Sequence, residues 1–112
     1  MGKSPQQTEL LKGTLDLLIL KTLELQPRHG VAVADRIAEI SRGTFSVKPG
    51  SLFPALHRLE EEGFIAGEWG QTGEGRRARV YRITPAGLRQ LNAERKTWAR
   101  IVFAIGLVLE AD

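Results

Sequence analysis

Three segments with helical spacing of apolar residues begin this sequence of 112 residues, two short alternating segments around a glycine-rich turn follow, and a long helical segment ends it. This order predicts a mainly α fold with a β-hairpin: a winged helix-turn-helix with three helices and a two-stranded wing, plus a long C-terminal dimerisation helix. A monomer of this size buries only about 60–70% of its unfolded surface. We therefore expect residues 1–84 to form the winged-helix domain and residues 85–112 to pair two copies.

The first helix is predicted for residues 8–24, and its apolar face is unusually broad. Leu11, Leu15 and Leu18 recur at helical spacing, and further leucines and isoleucines on either side widen this stripe. A surface helix that packs on one side only has a narrower stripe. We therefore expect this helix to pack against its own core and, through these three leucines, against a second copy of the chain.

The second helix is predicted from Val31 to Ser41, after a turn marked by Pro27 and Gly30. Its apolar residues, Ile40 among them, are expected to face inward. The polar residues between them are expected to face solvent.

The third helix is predicted from Gly50 to Glu62, with Leu52, Leu56 and Leu59 as its buried stripe. Pro54 is compatible with this helix if it lies in the first turn, where N–H groups have no partner within the helix. Pro54 therefore places the start of the helix at Gly50 or the next residue.

A β-hairpin with a flexible tip is predicted from residues 64–70 and 78–84, which are joined by a glycine-rich turn. Thr84 is a good N-cap and Pro85 suits the first helical position, so the last helix begins there and extends to about Glu110. Apolar residues recur along it close to a heptad seam: Leu88, Leu91, Trp98, Val102, Ile105 and Leu109. This seam is longer than a three-helix core covers, so we expect its members from Leu91 onward to form a twofold dimer interface.

Basic residues are concentrated in the hairpin and just after it, although the net charge is only +3. From Gln71 to Arg100 there are eight basic and two acidic residues, whereas the first 70 residues hold eight basic and nine acidic ones. Arg76, Arg77 and Arg79, with no acid between them, are well placed on the hairpin to meet phosphate oxygens of nucleic acid. The alternative is a basic turn that is merely solvated.

The third helix offers a second group of candidates for DNA contact, because the N-terminal residues of a recognition helix reach base edges and phosphates. Outside the leucine stripe, the residues near its start are Lys48, Ser51, Phe53, Pro54, His57 and Arg58. Arg58 suits a guanine edge and Phe53 suits a thymine methyl group. For each residue the alternative is an ordinary surface position. The acidic run from Glu60 to Glu62 is expected to point away from DNA.

Several other classes of protein are disfavoured. The absence of cysteine excludes disulfides and thiol chemistry and fits a reducing cytoplasm. His29 and His57 lack metal-ligand spacing, and no catalytic motif occurs. The longest apolar run, Ile101 to Leu109, has nine residues, whereas a membrane span needs about 20. No signal peptide is indicated, so we expect a cytoplasmic protein without enzyme activity, cofactor, metal or membrane contact.

Six sequence blocks follow one another along the chain: LLKGTLDLLILKTL, HGVAVADRI, VKPGSLFPALHRLEEEGFI, EWG, RRARVYRIT and PAG. The resemblance that they carry covers roughly Leu10 to Trp98. Together they resemble the PadR-like family of bacterial transcriptional regulators, most specifically in GSLFPALHRLE and RRARVYRITPAG. The resemblance implies a winged-helix homodimer that binds a short inverted repeat in double-stranded promoter DNA and usually represses transcription. By position, it places Ser51, Phe53, Pro54 and His57 on the recognition helix, and Arg76, Arg77 and Arg79 on the wing.

The resemblance also raises three specific points. The family usually has tyrosine at the position of Phe53, so this chain lacks a hydroxyl that could bond a phosphate. The single C-terminal helix is similar to that of short-tailed members. Some members hold flat aromatic ligands between aromatic side chains at the dimer interface, which makes Trp98 a candidate site for a small aromatic effector, although a tryptophan on a helix seam is more often plain core.

The alternative function is a winged-helix module for protein–protein assembly without specific DNA binding. In that case the hairpin and the third helix would face another protein. The acid-free arginine run on the hairpin argues against this alternative.

Overall fold

The predicted order of elements is confirmed in a computed structural model, which describes residues 5–71 and 73–112, with side chains from residue 13 onward. Four helices and a small antiparallel sheet make up this part of the chain. The elements are α1 (Pro5–Leu25), β1 (Arg28–His29), α2 (Gly30–Ile40), α3 (Pro49–Glu61), β2 (Ile65–Gln71), β3 (Arg77–Ile83) and α4 (Pro85–Leu109).

The sheet has three strands in the order β1-β3-β2, rather than the two predicted. Arg28 and His29 pair antiparallel with Tyr81 and Val80 of β3. The sequence pattern indicated a turn at this position, because two residues are too few to show strand alternation. The added strand ties the chain just before α2 to the middle of the hairpin.

The core lies between the helices and the base of the hairpin. Every element except β1 contributes to it, and its largest fully buried side chains are Ile19, Leu20, Leu23, Val33, Leu52, Leu56, Leu59, Ile65 and Leu91. The predicted leucine stripe of α3 is therefore entirely inward. Burial of this stripe fixes the rotation of α3, so the opposite side of its first turns must face solvent.

Two expectations about the second and third helices are wrong. Ile40, expected to face inward, is about half exposed, because it is the last residue of α2 and lies beyond the core. Pro54 lies in the second turn of α3, since this helix begins at Pro49. A proline there leaves the carbonyl of Gly50 without its usual partner. Gly50 is exposed, so water can satisfy this carbonyl.

The start of α4 is fixed by capping and close packing. The hydroxyl of Thr84 accepts from the N–H of Gly87 at 3.0 Å and donates to the carbonyl of Gly63 at 2.6 Å. A Cβ atom on Gly87 would lie 2.0 Å from the carbonyl oxygen of Phe64, so only glycine allows this approach of α4 to the hairpin. The predicted N-cap is thus confirmed.

The predicted dimer residues differ in their burial within one chain. Leu91 is 0% exposed within one chain, where it belongs to the core, and its place in the dimer interface stays a prediction. Leu15 and Leu18 are partly buried against the same core. Leu11 lies on α1, but its side chain is outside the described residues.

The second half of α4 extends beyond this core. Its last turns expose large apolar side chains, namely Trp98, Ile101, Val102, Phe103, Ile105, Leu107, Val108 and Leu109. In residues 5–71 and 73–112, none of the helices combines the length and hydropathy needed to cross a membrane.

Candidate nucleic-acid interface

The first turns of α3 present a continuous polar and aromatic surface. The exposed residues there include Lys48, Ser51, Phe53, Pro54 and His57. Lys48 is the N-cap residue, and from Pro49 to Leu59 the helix contains no acidic side chain. Free N–H groups at a helix N-terminus favour anions. This end of α3 is therefore electrostatically suited to a phosphate-bearing partner.

Phe53 lies where α3 approaches the start of α2. Its side chain is 45% exposed, and its Cε1 atom would lie 3.2 Å from a Cβ atom on Gly30. The ring thus covers the first residue of α2 with one edge while the remainder stays accessible. Phe53 supports the contact between the two helices and is also available to a ligand.

His57 is well exposed and lies one turn before Glu61. Its Nε2 atom is 2.9 Å from Oε1 of Glu61, and both side chains are largely in solvent. Exposed pairs of this kind contribute little to stability. His57 therefore remains available for contacts outside the chain.

Arg58 is directed toward α1 rather than outward. Its Nη2 atom donates to Oδ1 of Asp16, and both side chains are less than one-third exposed. Burial raises the pKa of the Asp16 carboxyl, although the positive charge of Arg58 acts in the opposite direction. A signal for this pair existed in the sequence, because Asp16 is an isolated acid within the leucine-rich first helix.

The wing, defined as β2, β3 and the turn between them, divides its arginines between two environments. Arg76 and Arg77 are exposed near the tip. The guanidinium carbon of Arg77 lies 4.5 Å from the centroid of the Trp69 ring. Arg79 instead points back toward α3, where its Nη2 atom donates to Oε2 of Glu60 at 2.6 Å. Arg82, on the opposite side of β3, is exposed and lies 3.7 Å from Oε1 of Glu68. Arg79 is thus directed into the fold, whereas Arg76, Arg77 and Arg82 are exposed.

Trp69 and Glu60 are part of this arrangement, although neither was predicted as a site residue. Trp69 is 59% exposed and lies directly opposite Arg79 in the sheet. The sequence offered one indication of its exposure, namely its position in a strand segment with alternating residues. Glu60 accepts hydrogen bonds from residues at the base of the wing. The sequence showed only that Glu60 belongs to an acidic run at the end of α3 and did not indicate this contact.

A cavity of about 300 Å³ lies between α1 and α4. Gly13, Thr14, Leu17, Glu94, Thr97, Trp98 and Ile101 line it. Trp98, the candidate effector-binding residue, therefore lines a cavity and is not fully enclosed by core side chains. In the described part of the chain, no group of three or more His, Asp or Glu side chains is arranged to hold a metal ion.

The packed three-helix core, the exposed start of α3 and the arginine-bearing hairpin define a winged-helix protein. The chain belongs to the PadR-like family of transcriptional regulators, because the sequence profile of that family matches residues 19–93. The chain is thus a transcriptional regulator of this family.

Similar proteins come from several bacteria. The chain is 47% identical to the transcriptional regulator Rv3488 of Mycobacterium tuberculosis over 58 residues, which cover 52% of this chain and 53% of that protein. It is 28% identical to an uncharacterized protein of Lysinibacillus sphaericus over 104 residues, covering 93% and 95% of the two chains.

Solved structures show the same fold. The crystal structure of a PadR family transcriptional regulator from Eggerthella lenta has a TM-score of 0.80 and 31% identity, covering 96% of this chain and 91% of that one. A transcriptional regulator from Clostridium thermocellum also has a TM-score of 0.80, with 26% identity and coverage of 88% and 95%.

Proposed function

We propose that the chain is a sequence-specific DNA-binding regulator that acts as a homodimer on an inverted-repeat operator, with repression as the outcome. One observation carries this proposal. The exposed, acid-free start of α3 and the arginines of the neighbouring wing form two surfaces suited to nucleic acid in one small domain. Their combination is that of winged-helix DNA-binding domains.

The dimensions of α3 support its insertion into DNA. Its 13 residues give a length of about 20 Å, and the major groove, about 12 Å wide, admits an α-helix. Ser51 and His57 carry groups that donate and accept hydrogen bonds, and Phe53 offers an apolar surface suited to a thymine methyl group. These residues are the candidates for base recognition, with Lys48 and Pro54 beside them at the start of the helix.

The wing supplies contacts of a different kind. Arg77 at the exposed tip carries a guanidinium group that matches phosphate geometry. Contacts to phosphates position a protein on DNA and carry no sequence information directly. We therefore assign Arg76 and Arg77 to the DNA backbone on either side of the recognition helix.

The exposed second half of α4 supports the dimer. Eight large apolar side chains are exposed between Trp98 and Leu109, whereas soluble monomers rarely leave a contiguous apolar patch of this extent uncovered. A twofold partner would cover this patch with the same surface of its own α4, and with α1 beside it. Such a dimer would place two copies of α3 about one DNA turn apart, ~34 Å.

Equilibrium binding to DNA from upstream of the gene, compared with random DNA, tests this function. Arg77→Ala should weaken binding to both DNAs similarly, whereas His57→Ala should change the preferred site. Arg89→Ala, which removes an exposed arginine from α4, is the control for net charge. Equal effects of Arg77→Ala and His57→Ala on specific and random DNA would refute the proposed roles. Absence of DNA binding by the unchanged protein would favour the protein-assembly alternative.

A further inference from the structure

One face of the wing carries aromatic and arginine side chains in alternation. Tyr81, Arg79 and Arg77 are alternate residues of β3, and Trp69 of β2 lies opposite Arg79, so all four share this face. The guanidinium carbon of Arg79 lies 5.9 Å from the Tyr81 ring centroid and 5.6 Å from that of Trp69. Arg77 continues the series at 4.5 Å from Trp69. We name these four residues the wing stack.

The wing stack extends from the core to solvent. Tyr81 is buried among core residues, whereas Trp69 is mostly exposed and Arg77 is exposed near the tip. Stacking of a guanidinium on an aromatic ring is favourable and restricts the orientation of both groups. The position of Arg77 therefore depends on Trp69, and that of Trp69 depends on Arg79.

Arg79 in turn is held by α3. Its Nη2 atom donates to Oε2 of Glu60 at 2.6 Å and to the carbonyl oxygen of Gly67 at 2.9 Å. The same Glu60 oxygen accepts from the N–H of Gly67 at 3.1 Å. One carboxylate at the end of α3 thus binds both the side chain and the backbone at the base of the wing.

Gly67 makes room for this contact. A Cβ atom at that position would lie only 2.6 Å from Nη2 of Arg79 and 2.8 Å from its Nε. Gly67→Ala would consequently displace the guanidinium of Arg79 without removing any charge. In contrast, a Cβ atom on Gly73, in the turn of the same hairpin, meets nothing within 4 Å.

We infer that Glu60 and Arg79 are positioning residues that set the wing relative to the recognition helix, and that Arg79 does not itself bind phosphate. This inference rests on the proposed DNA binding and replaces the role expected for Arg79 from sequence. The negative charge of Glu60 already neutralises the guanidinium of Arg79. The rings of Trp69 and Tyr81 also lie against this guanidinium. Arg77, which has no such carboxylate in its described contacts, remains the phosphate ligand.

The salt dependence of DNA binding separates these roles, because each phosphate contact contributes about one unit to the slope of log K against log salt. Arg77→Ala should lower this slope by about one. Arg79→Ala, Glu60→Ala and Gly67→Ala should each weaken specific binding about three- to tenfold, which lies in the lower part of the range for residues in contact. Arg79→Ala should leave the slope unchanged. The double variant Glu60→Ala/Arg79→Ala should bind DNA no more weakly than whichever of the two single variants has the lower affinity. Gly73→Ala should bind normally.

A measurement without DNA keeps this inference separate from the proposed function. In a Trp98→Phe background, Trp69 is the only tryptophan, and its fluorescence anisotropy reports the order of the wing. We expect lower anisotropy in the Arg79, Glu60 and Gly67 variants, with thermal unfolding midpoints close to that of the background, and no change for Gly73→Ala. Unchanged anisotropy in the first three variants would overturn the inference whether or not DNA binds. A slope lowered by one in Arg79→Ala, with losses that add to those of Glu60→Ala, would equally overturn it.

Discussion

Arg58 of α3 forms an ion pair with Asp16 of α1, and this pair joins the proposed recognition helix to the helix expected at the dimer interface. The two residues are 42 positions apart in sequence. Because Arg58 is held on the inner side of α3, the outward surface of this helix consists mainly of neutral side chains and His57. Base recognition is therefore expected to depend on Ser51, Phe53 and His57 more than on a cation.

The Asp16 carboxyl should affect the pH dependence of stability. Burial raises its pKa from the ordinary value of 3.8, so its contribution to stability is fully present below that value and is lost as pH rises through the raised pKa. Asp16→Asn should remove this component from the curve of thermal midpoint against pH. Asp35→Asn, which deletes an exposed carboxylate of α2, controls for net charge. A difference between Asp16→Asn and the unchanged protein that stays constant with pH would contradict this assignment.

Leu91 should matter for folding and not for association. It is completely buried within one chain, and leucine-to-alanine changes in such positions cost about 2–5 kcal/mol. Denaturant unfolding of Leu91→Ala should show this loss, while the remaining folded protein keeps its subunit number in light scattering. Loss of the dimer with little change in unfolding would instead place Leu91 at the interface.

Ile105 should behave in the opposite way. It is 50% exposed in one chain, so a second copy is what would bury it. An aspartate there would become an unpaired buried charge in the dimer, which is costly. Ile105→Asp should therefore dissociate the dimer, and light scattering at micromolar concentration should show a monomer. Asn92→Asp, on an exposed position in the first half of the same helix and outside the apolar patch, is the matched control. A dimer that survives Ile105→Asp would refute the proposed interface.

Trp98 offers a test of the aromatic effector site that the family resemblance implies. It lines the cavity between α1 and α4 and is only partly covered. In a Trp69→Phe background, planar aromatic compounds bound in this cavity should quench the fluorescence of Trp98, because the two ring systems would stack. Competition with an optically transparent analogue checks that quenching reflects binding. If no compound in a broad panel quenches it, Trp98 serves as interface core alone.

The helices were predictable because their causes are local. The spacing of Leu52, Leu56 and Leu59 predicts the buried side of α3, and the Thr84 and Pro85 pair predicts the start of α4. β1 was missed, since its two residues are extended only because β3 pairs with them. A local pattern contains no information on such distant partners.

The same distinction applies to the candidate site. Exposure of the first turns of α3 follows from helical periodicity. The candidate DNA-contact residues in these turns are therefore exposed, as expected. The orientations of Arg58 and Arg79 depend on Asp16 and Glu60, which approach them only in the folded chain. Sequence identified these arginines as cations but did not show that each has a carboxylate partner within its own chain.

Selection of bound sites from random double-stranded DNA tests the central claim most directly. The proposed twofold dimer, with one α3 in each of two successive major grooves, predicts enrichment of an inverted repeat whose half-sites are centred about 10 base pairs apart. The His57→Ala protein should enrich altered half-sites with the same spacing. Failure to enrich any sequence, or enrichment of a single unrepeated site, would contradict the account.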